Sequence, residues 1–184
     1  MNKEVMKMLA DGTIRRSKSN YASPALLVPK PDGTWRFCVD YTKLNLKTKS
    51  DSYPIPNAHS RLMQLHGAKK FTKMDGHKGF WQIPMGRWSI EKTAFITPFG
   101  LFEFTVLPMG LKTSPATFQR MMDEVLGDLI DNGVLVYLDD ILIYAKDDEE
   151  LHNLTKEVFK RLEKAGIHLK ASKCFVGMEK IDFL

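Results

Sequence analysis

The chain has 184 residues, of which 43% are hydrophobic and 27% charged, and a formal net charge of +5. This ordinary globular composition excludes collagen-like, mucin-like and disordered chains, and no apolar run approaches the roughly 20 residues that a membrane span needs. The first residues lack a signal-peptide core, and the two distant cysteines, Cys38 and Cys174, predict neither a disulfide framework nor a zinc site. A reducing compartment fits this cysteine usage.

The charge is divided unevenly along the chain. Residues 1–75 hold 14 basic and 6 acidic residues, whereas residues 76–184 hold 13 basic and 16 acidic residues. A polyanion bound by the first part and a cation bound by the second would fit this division. Solvated surface charge on two unequal halves is the alternative interpretation.

One short helix and several strands are predicted in the first part of the chain. Apolar residues at helical spacing predict a helix over 2–11 that stops at Gly12. Pro31-Asp32-Gly33 is typical of a turn, and residues 45–57 are predicted to be connecting chain. Strands are predicted at 25–28, 35–40, 70–74, 80–84, 93–96 and 101–107.

The second part is predicted to hold two helices around a hairpin. Ser114 is the expected N-cap and Pro115 the first residue of a helix that continues to about Ile130. Residues 133–144 form the predicted hairpin. A second helix is expected over 148–165, capped by Asp147, and short strands at 174–176 and 181–184.

Two adjacent carboxylates interrupt the apolar strands of this hairpin. Asp139 and Asp140 could be solvated turn residues, or they could be buried carboxylates that need a cation. Asp75 ends a short predicted strand and supplies a third carboxylate. Three convergent carboxylates suit hard divalent ions such as Mg²⁺, and two such ions serve phosphoryl transfer.

Sequence blocks in a fixed order cover nearly all of the chain. They are Tyr21-Ala22-Ser23-Pro24, Val28-Pro29-Lys30, residues 32–41, Leu44-Asn45, residues 71–75, 79–83 and 92–95, Leu107 to Lys112, Ser114 to Gln119, Tyr137-Leu138-Asp139-Asp140 and Phe183-Leu184. Together they resemble the reverse transcriptase domain of a gypsy-type LTR retrotransposon Pol polyprotein. The Tyr137–Asp140 block resembles the YxDD box of that family.

The resemblance implies an α/β (α+β) fold with the fingers and palm of a right-hand polymerase. The palm would be an antiparallel sheet backed by helices. The expected subdomains are fingers at 1–48 and 85–108, and palm at 49–84 and 109–184. The chain is expected to stop in the primer-grip region, with the thumb absent. In the family this domain is fused to thumb, ribonuclease H, protease and integrase parts.

By resemblance, Asp75, Asp139 and Asp140 are the catalytic aspartates. Asp75 and Asp139 would be the firmer ligands of two Mg²⁺ ions, for which Mn²⁺ can substitute, with a further contact from the Gly76 carbonyl. Lys173 falls near a family lysine proposed as general acid for the pyrophosphate leaving group. A strand-edge lysine without that role is the alternative.

The resemblance also assigns a nucleotide site. Lys30 and Arg36 would hold the triphosphate of a dNTP, Phe80 would be the steric gate against a ribose 2′-hydroxyl, and Met109 and Gly110 would lie beneath the nucleotide. Core packing for Phe80 and ordinary surface charge for the two cations are the alternatives. A three-residue loop at 32–34 would place Lys30 opposite Arg36 on one face, whereas a two-residue turn would separate them.

Contacts with template and primer are implied for a further group of residues. These are Asn45, Lys112, Pro115, Phe118 and Tyr137.

The chain also departs from the usual family pattern at several positions. Gly76-His77-Lys78 follows the first aspartate and brings a cation close to it. Thr42 replaces a common arginine, and Met109 stands where gypsy-type enzymes usually carry phenylalanine. None of these changes removes a catalytic carboxylate.

The expected function is that of an RNA-directed DNA polymerase, which extends a DNA primer on an RNA or DNA template with dNTPs. The alternative is a truncated or domesticated remnant that binds nucleic acid or a protein without catalysis. A metal-dependent nuclease or cyclase on a similar palm is a third, weaker hypothesis, because the fingers hairpin and the block from Leu107 to Gln119 argue against it. An intracellular location, either a cytoplasmic particle or the nucleus, would follow from retrotransposon origin.

Overall fold

The computed structural model describes residues 1–54, 62–137 and 140–183. The chain divides into two compact units. Unit 1 comprises Met1–Asp51 and Phe80–Ser114, and unit 2 comprises Ser52–Gly79 and Pro115–Leu184. Among the described residues, no helix is both long and apolar enough to cross a membrane.

Unit 1 is built on a five-stranded sheet. Its strands are β1 (Ile14–Arg16), β2 (Ser23–Pro29), β3 (Trp35–Val39), β5 (Phe95–Thr97) and β6 (Gly100–Phe104). They are ordered β1-β6-β5-β2-β3, and only the β2–β5 pair is parallel. Two helices, α1 (Asn2–Ala10) and α2 (Thr42–Lys47), complete the unit.

The core of unit 1 forms where α1 covers one face of this sheet. Val5 and Met8 of α1 pack with Ile14 and with three phenylalanines of β5 and β6, all at most 3% exposed. The Phe95 ring lies 5.3 Å from the Phe104 ring, centroid to centroid. Alternation along β6 directs Phe102 and Phe104 to the face that α1 covers and turns Glu103 to the other face, where it pairs with Arg15 at 2.8 Å.

The β2–β3 hairpin has a three-residue loop, at 31–33. The Lys30 N–H donates to the Thr34 carbonyl at 2.8 Å, and Arg36 lies opposite Val28. Lys30 and Arg36 therefore share one face but stand diagonally, two residue pairs apart, so neither of the two arrangements left open by the sequence, direct opposition or separation, applies. Asp32 favours this loop, because its carboxylate accepts the Thr34 N–H at 2.9 Å. The loop is therefore 31–33, one residue before the three-residue loop considered from the sequence, 32–34.

Unit 2 is built on a four-stranded antiparallel sheet. Its strands are β4 (Lys70–Asp75), β7 (Val134–Tyr137), β8 (Asp140–Ala145) and β9 (Phe175–Met178), ordered β7-β8-β4-β9. The predicted strand at 70–74 and the predicted hairpin are both confirmed. Met74 and Ile141 are opposed on the face that carries the core of the unit.

Two helices belong to unit 2. Helix α3 (Ser114–Leu126) buries Phe118, and α4 (Asp148–Lys164) buries an apolar stripe on one side. As predicted, Asp147 caps α4 by accepting the Glu150 N–H at 2.9 Å. Thr155 of α4 lies 3.5 Å from Thr72 of β4, hydroxyl to hydroxyl, which brings α4 against the sheet.

A charged cluster joins α4 to the end of α3. The Arg161 guanidinium donates to Asp128 at 2.7 Å, to the Leu126 carbonyl at 2.6 Å and to Glu157 at 3.0 Å. These hydrogen bonds lower the pKa of both carboxyls and raise the pKa of Arg161. The cluster compensates carbonyl groups left open where α3 ends.

Several predicted boundaries were wrong for local reasons. The apolar run at 80–84 is a 3₁₀ turn, Gly79–Gln82, because its few aromatic residues fit a packed turn as well as a strand. Helix α3 starts at Ser114, whose hydroxyl donates to the Pro108 carbonyl, and ends at Leu126, where Gly127 takes φ +49°.

Other differences concern short segments. Helix α2 replaces part of the predicted connecting chain, because Asp40 accepts the Thr42 N–H at its start. The predicted strand at 93–96 begins only at Phe95, after a 3₁₀ turn, and that at 101–107 stops at Phe104. Residues 181–183 form no strand, and Leu184 lies outside the described residues, as do residues 55–57 of the predicted connection.

Candidate active site

Two of the predicted catalytic carboxylates face each other in the unit 2 sheet. Asp75 ends β4 and lies directly opposite Asp140, which begins β8. The Asp75 carbonyl accepts the Lys170 N–H at 2.9 Å, on the edge of β4 away from β8. The two aspartates therefore form a non-hydrogen-bonded pair, in which side chains of opposed residues lie closest on the same face.

A lysine ammonium neutralises each of these carboxylates. Lys173 Nζ lies 2.7 Å from Asp75 Oδ2, and Lys73 Nζ lies 3.2 Å from Asp140 Oδ2. The Asp75 side chain is 12% exposed and that of Asp140 is 25% exposed. The two opposed carboxylates therefore each have a cationic side chain in contact with them, as a partly buried charge requires.

The same geometry fits a divalent cation. Carboxylate oxygens on one face of adjacent strands are the ligand type that Mg²⁺ prefers, and the lysine ammoniums already occupy cation positions beside them. Within residues 1–54, 62–137 and 140–183, no group of three or more His, Cys, Asp or Glu could hold a metal. Asp139, the third predicted ligand, lies outside the described residues.

Two other predicted residues are placed beside the carboxylates. Tyr137 of β7 lies opposite Asp140. Gly76 forms an isolated bridge with Leu169. The hydrogen bonds of this bridge join the His77 N–H to the His168 carbonyl and the Lys170 N–H to the Asp75 carbonyl. The Gly76 carbonyl takes no part in them.

The predicted nucleotide residues lie in unit 1. Lys30 and Arg36 share the solvent-facing side of the β2–β3 hairpin, with Arg36 exposed. Phe80 is in the 3₁₀ turn and is partly buried. Met109 is 54% exposed, while Gly110 takes φ +92°. An added Cβ would make only ordinary contact with the Tyr41 ring, at 3.5 Å, so the backbone conformation is what favours glycine here.

Asn45 has a defined structural role. Its side-chain amide donates to the Gly110 carbonyl and accepts from the Lys112 N–H, both at 2.8 Å. The loop at 110–112 is therefore held by helix α2. Tyr41, at the start of that helix, is buried, and burial raises the pKa of its phenol, which donates to the Thr93 carbonyl at 2.8 Å.

The remaining predicted template residues lie in helix α3. Pro115 is in its first turn and is partly buried. Phe118 is 3% exposed, so any contribution to template binding would come from supporting the surface above it. Its contact with nucleic acid stays a prediction.

Lys73 was missed by the sequence reasoning. Its position was informative nonetheless, because residues two apart on a strand share a face, and Lys73 precedes Asp75 by two. A lysine in the middle of a half-buried strand, beside a predicted catalytic carboxylate, is the signal that could have identified it.

The chain is similar to known proteins of one family over most of its length. The family described as reverse transcriptase (RNA-dependent DNA polymerase) matches residues 28–184. The chain is 43% identical, over 98% of its length, to the retrovirus-related Pol polyprotein from transposon 297 of Drosophila melanogaster. It is 36% identical, over its full length, to the transposon Tf2-3 polyprotein of Schizosaccharomyces pombe. It spans 18% and 14% of these two polyproteins.

Solved structures resemble the chain over nearly its whole length. A crystal structure of the prototype foamy virus protease-reverse transcriptase (CSH mutant) has a TM-score of 0.89 at 29% identity, covering 98% of this chain and 24% of the viral one. The foamy viral protease-reverse transcriptase in complex with RNA/DNA hybrid has a TM-score of 0.86 at 28% identity, covering 94% and 23%.

Proposed function

The chain belongs to the reverse transcriptase (RNA-dependent DNA polymerase) family, and from that premise we propose that it extends a DNA primer with dNTPs on an RNA or DNA template. The family and the fingers-palm fold predicted from the sequence are confirmed. The gypsy-type assignment and the division into fingers and palm at the stated residues stay predictions.

The observation that carries the proposal is the direct opposition of Asp75 and Asp140. Asp75 and Asp139 would be the main ligands of two Mg²⁺ ions, with Asp140 and the Gly76 carbonyl beside them. When bound, the ions activate the attacking hydroxyl and neutralise charge on the phosphates. Mn²⁺ would substitute for them. The protein's part is to hold the Asp75 and Asp140 carboxylates on one face of the unit 2 sheet, which keeps the reacting groups aligned.

The other predicted residues would bind the substrates. Lys30 and Arg36, on one face of their hairpin, would contact the triphosphate of the incoming dNTP, and Phe80 would exclude a 2′-hydroxyl. Met109 and Gly110 belong to the loop that Asn45 braces.

Template and primer would contact the remaining predicted residues, which come from both units. They are Lys112, Pro115, Tyr137 and, from beneath, Phe118. The foamy viral enzyme was solved with RNA/DNA hybrid and with dsDNA, and we propose the same kinds of duplex for this chain.

Lys173 would act as a general acid in the reaction. Its contact with Asp75 supports a place in the reaction site, and protonation of the pyrophosphate leaving group is its proposed role. Its side chain is 55% exposed, so a substrate in solution can reach it.

The test is primer extension on poly(rA)/oligo(dT) with dTTP and either Mg²⁺ or Mn²⁺. We expect extension by the native chain and its loss by at least about 100-fold in Asp139→Asn and Asp140→Asn, since each removes a charge at the reacting phosphate. Asp148→Asn is the control, because this exposed carboxylate lies at the start of α4 and should leave extension unchanged.

Fluorescence anisotropy with labelled primer–template completes the test. Protein that is folded by circular dichroism and binds the duplex but never extends it would overturn the polymerase proposal. It would support the non-catalytic binding function instead.

A further inference from the structure

Lys73 occupies a central position on the sheet face that carries the carboxylates. It lies on β4 opposite Leu142, two residue pairs from the Asp75–Asp140 pair. From there its ammonium reaches diagonally across to Asp140 Oδ2 at 3.2 Å. It is thus on the neighbouring strand but on the same face as the carboxylate that it contacts.

The Lys73 side chain is restrained by its surroundings. It is 20% exposed and lies over Leu142, which is fully buried. Its Nζ is 3.4 Å from the Asp182 carbonyl and 5.7 Å from the centre of the Phe183 ring. The carboxylate, the carbonyl and the aromatic ring all attract the ammonium, and together they keep it in this position beside Asp140.

The lysine on the other carboxylate differs in this respect. Lys173 extends from a short 3₁₀ turn, Ala171–Lys173, and its side chain is 55% exposed. The Lys173 side chain is thus more open to solvent than that of Lys73, although its carboxylate partner, Asp75, is the less exposed of the two aspartates. The two lysines are therefore unequal partners for the two aspartates.

We propose that Lys73 is a positioning residue for polymerisation: it is the permanent counter-cation of Asp140 and fixes that carboxylate opposite Asp75. The inference rests on the proposed function. In this arrangement one oxygen of Asp140 stays bound to Lys73, while Asp75 exchanges Lys173 for a metal ion. The lysine contributes a fixed positive charge beside the metal site and touches neither substrate nor metal.

Removal of this charge has two opposite consequences. Without the ammonium, the carboxylate face gains net negative charge and attracts a divalent cation more strongly. At the same time Asp140 loses the contact that holds its orientation, so turnover falls. A lysine that served only to fill space would show neither the tighter metal binding nor the dependence on Asp140.

The experiment measures Mn²⁺ binding by electron paramagnetic resonance in the 184-residue chain without nucleic acid. We expect Lys73→Met to bind Mn²⁺ roughly three- to tenfold more tightly, by the Coulomb term of one removed unit charge. Lys73→Arg should retain the native affinity. Lys70→Met is the matched control, because Lys70 lies on the same strand, is 23% exposed and pairs instead with Asp148 and Glu179.

A thermal double-mutant cycle without metal tests the pair itself. Lys73→Met should lower the Tm of the native chain more than that of Asp140→Asn, which has already lost the ion pair and retains only the Asp182 and Phe183 contacts of Lys73. Equal Tm shifts in both backgrounds would overturn the proposal, as would an unchanged Mn²⁺ affinity in Lys73→Met. Lys73→Gln, with a polar side chain of similar length, replaces the methionine variant if that one does not fold.

Failure of the proposed polymerase function would give results that differ from failure of the Lys73 proposal. If the native chain bound no Mn²⁺ and extended no primer, the metal site would be refuted, and the thermal cycle would still decide whether Lys73 and Asp140 are coupled. Where primer extension is measurable, Lys73→Met should lower kcat with little change in KM for dTTP. An effect on KM alone would contradict a role through Asp140.

Discussion

Gly133→Ala should destabilise unit 2, because Gly133 leads into β7 under two constraints. Its φ is +96°, a conformation that L side chains rarely adopt. An added Cβ would also lie 2.5 Å from Leu154 Cδ1. The Gly133 carbonyl accepts the Tyr144 N–H at 2.9 Å, so the strain bears on the hairpin whose strand β8 carries Asp140.

The magnitude follows from these two terms. A non-glycine residue at positive φ costs about 1–2 kcal/mol. Leu154 is only partly buried and can swing away, at the cost of an unfavourable rotamer worth about 0.5–1.5 kcal/mol. We therefore expect Gly133→Ala to lower the free energy of unfolding by about 1.5–3.5 kcal/mol. Gly166→Ala is the control, since Gly166 has φ +70° but no atom within 4 Å of an added Cβ, and it should cost only the first term.

The assay is urea unfolding followed by far-UV circular dichroism. Tryptophan fluorescence would miss the effect, because Trp35, Trp81 and Trp88 all lie in unit 1. In a Leu154→Ala background the cost of Gly133→Ala should fall to that of Gly166→Ala. If the two costs were the same in the native background, within about 0.5 kcal/mol, the steric argument would be refuted.

Three further outcomes follow from single contacts. Asp147→Ala should cost about 1 kcal/mol of unfolding free energy, measured by urea titration, because it removes the cap of α4; no loss would contradict the capping role. Arg161→Met should return the pKa of Glu157 toward its ordinary value in a carboxyl-carbon NMR titration. Since Arg161 lowers that pKa in the folded state, the pair's stabilisation is present above pH 4.5 and is lost as the pH falls through the lowered pKa, so the variant should lose less stability on acidification. Tyr41→Phe should cost about 1–3 kcal/mol, because it leaves the buried Thr93 carbonyl unpaired, and a native-like urea midpoint would count against this.

The candidate site was predictable to the extent that it depends on residue types in order. Asp75 at the end of a short strand and Asp140 in an apolar hairpin were identifiable, because burying a carboxylate in an apolar strand is costly unless a cation compensates its charge. The ion pairs were not predictable in full. Lys173 was proposed near the site only by resemblance, and Lys73 was overlooked, because which lysine reaches which carboxylate depends on cross-strand register.

The same limit applied to the β2–β3 hairpin. Its existence followed from Pro31-Asp32-Gly33, but the pairing of Lys30 with Thr34 is supported by two hydrogen bonds to the Asp32 carboxylate, from the N–H and the hydroxyl of Thr34. A shift of one residue would have sent every side chain of the strand to the other face. The pattern of residue types does not determine the register of this hairpin, because several loop lengths fit the same turn residues.

By itself, the sequence determined the family, the mixed α/β class, the helix that Asp147 caps and the strands that carry the aspartates, because these depend on local propensity and on motif order. Only the tertiary structure decided which groups meet. It set Asp75 against Asp140 as a directly opposed pair, gave each carboxylate its own lysine, and turned the apolar run at 80–84 into a 3₁₀ turn. Such contacts join residues up to 98 positions apart, and they depend on register and packing, which no local stretch of chain encodes.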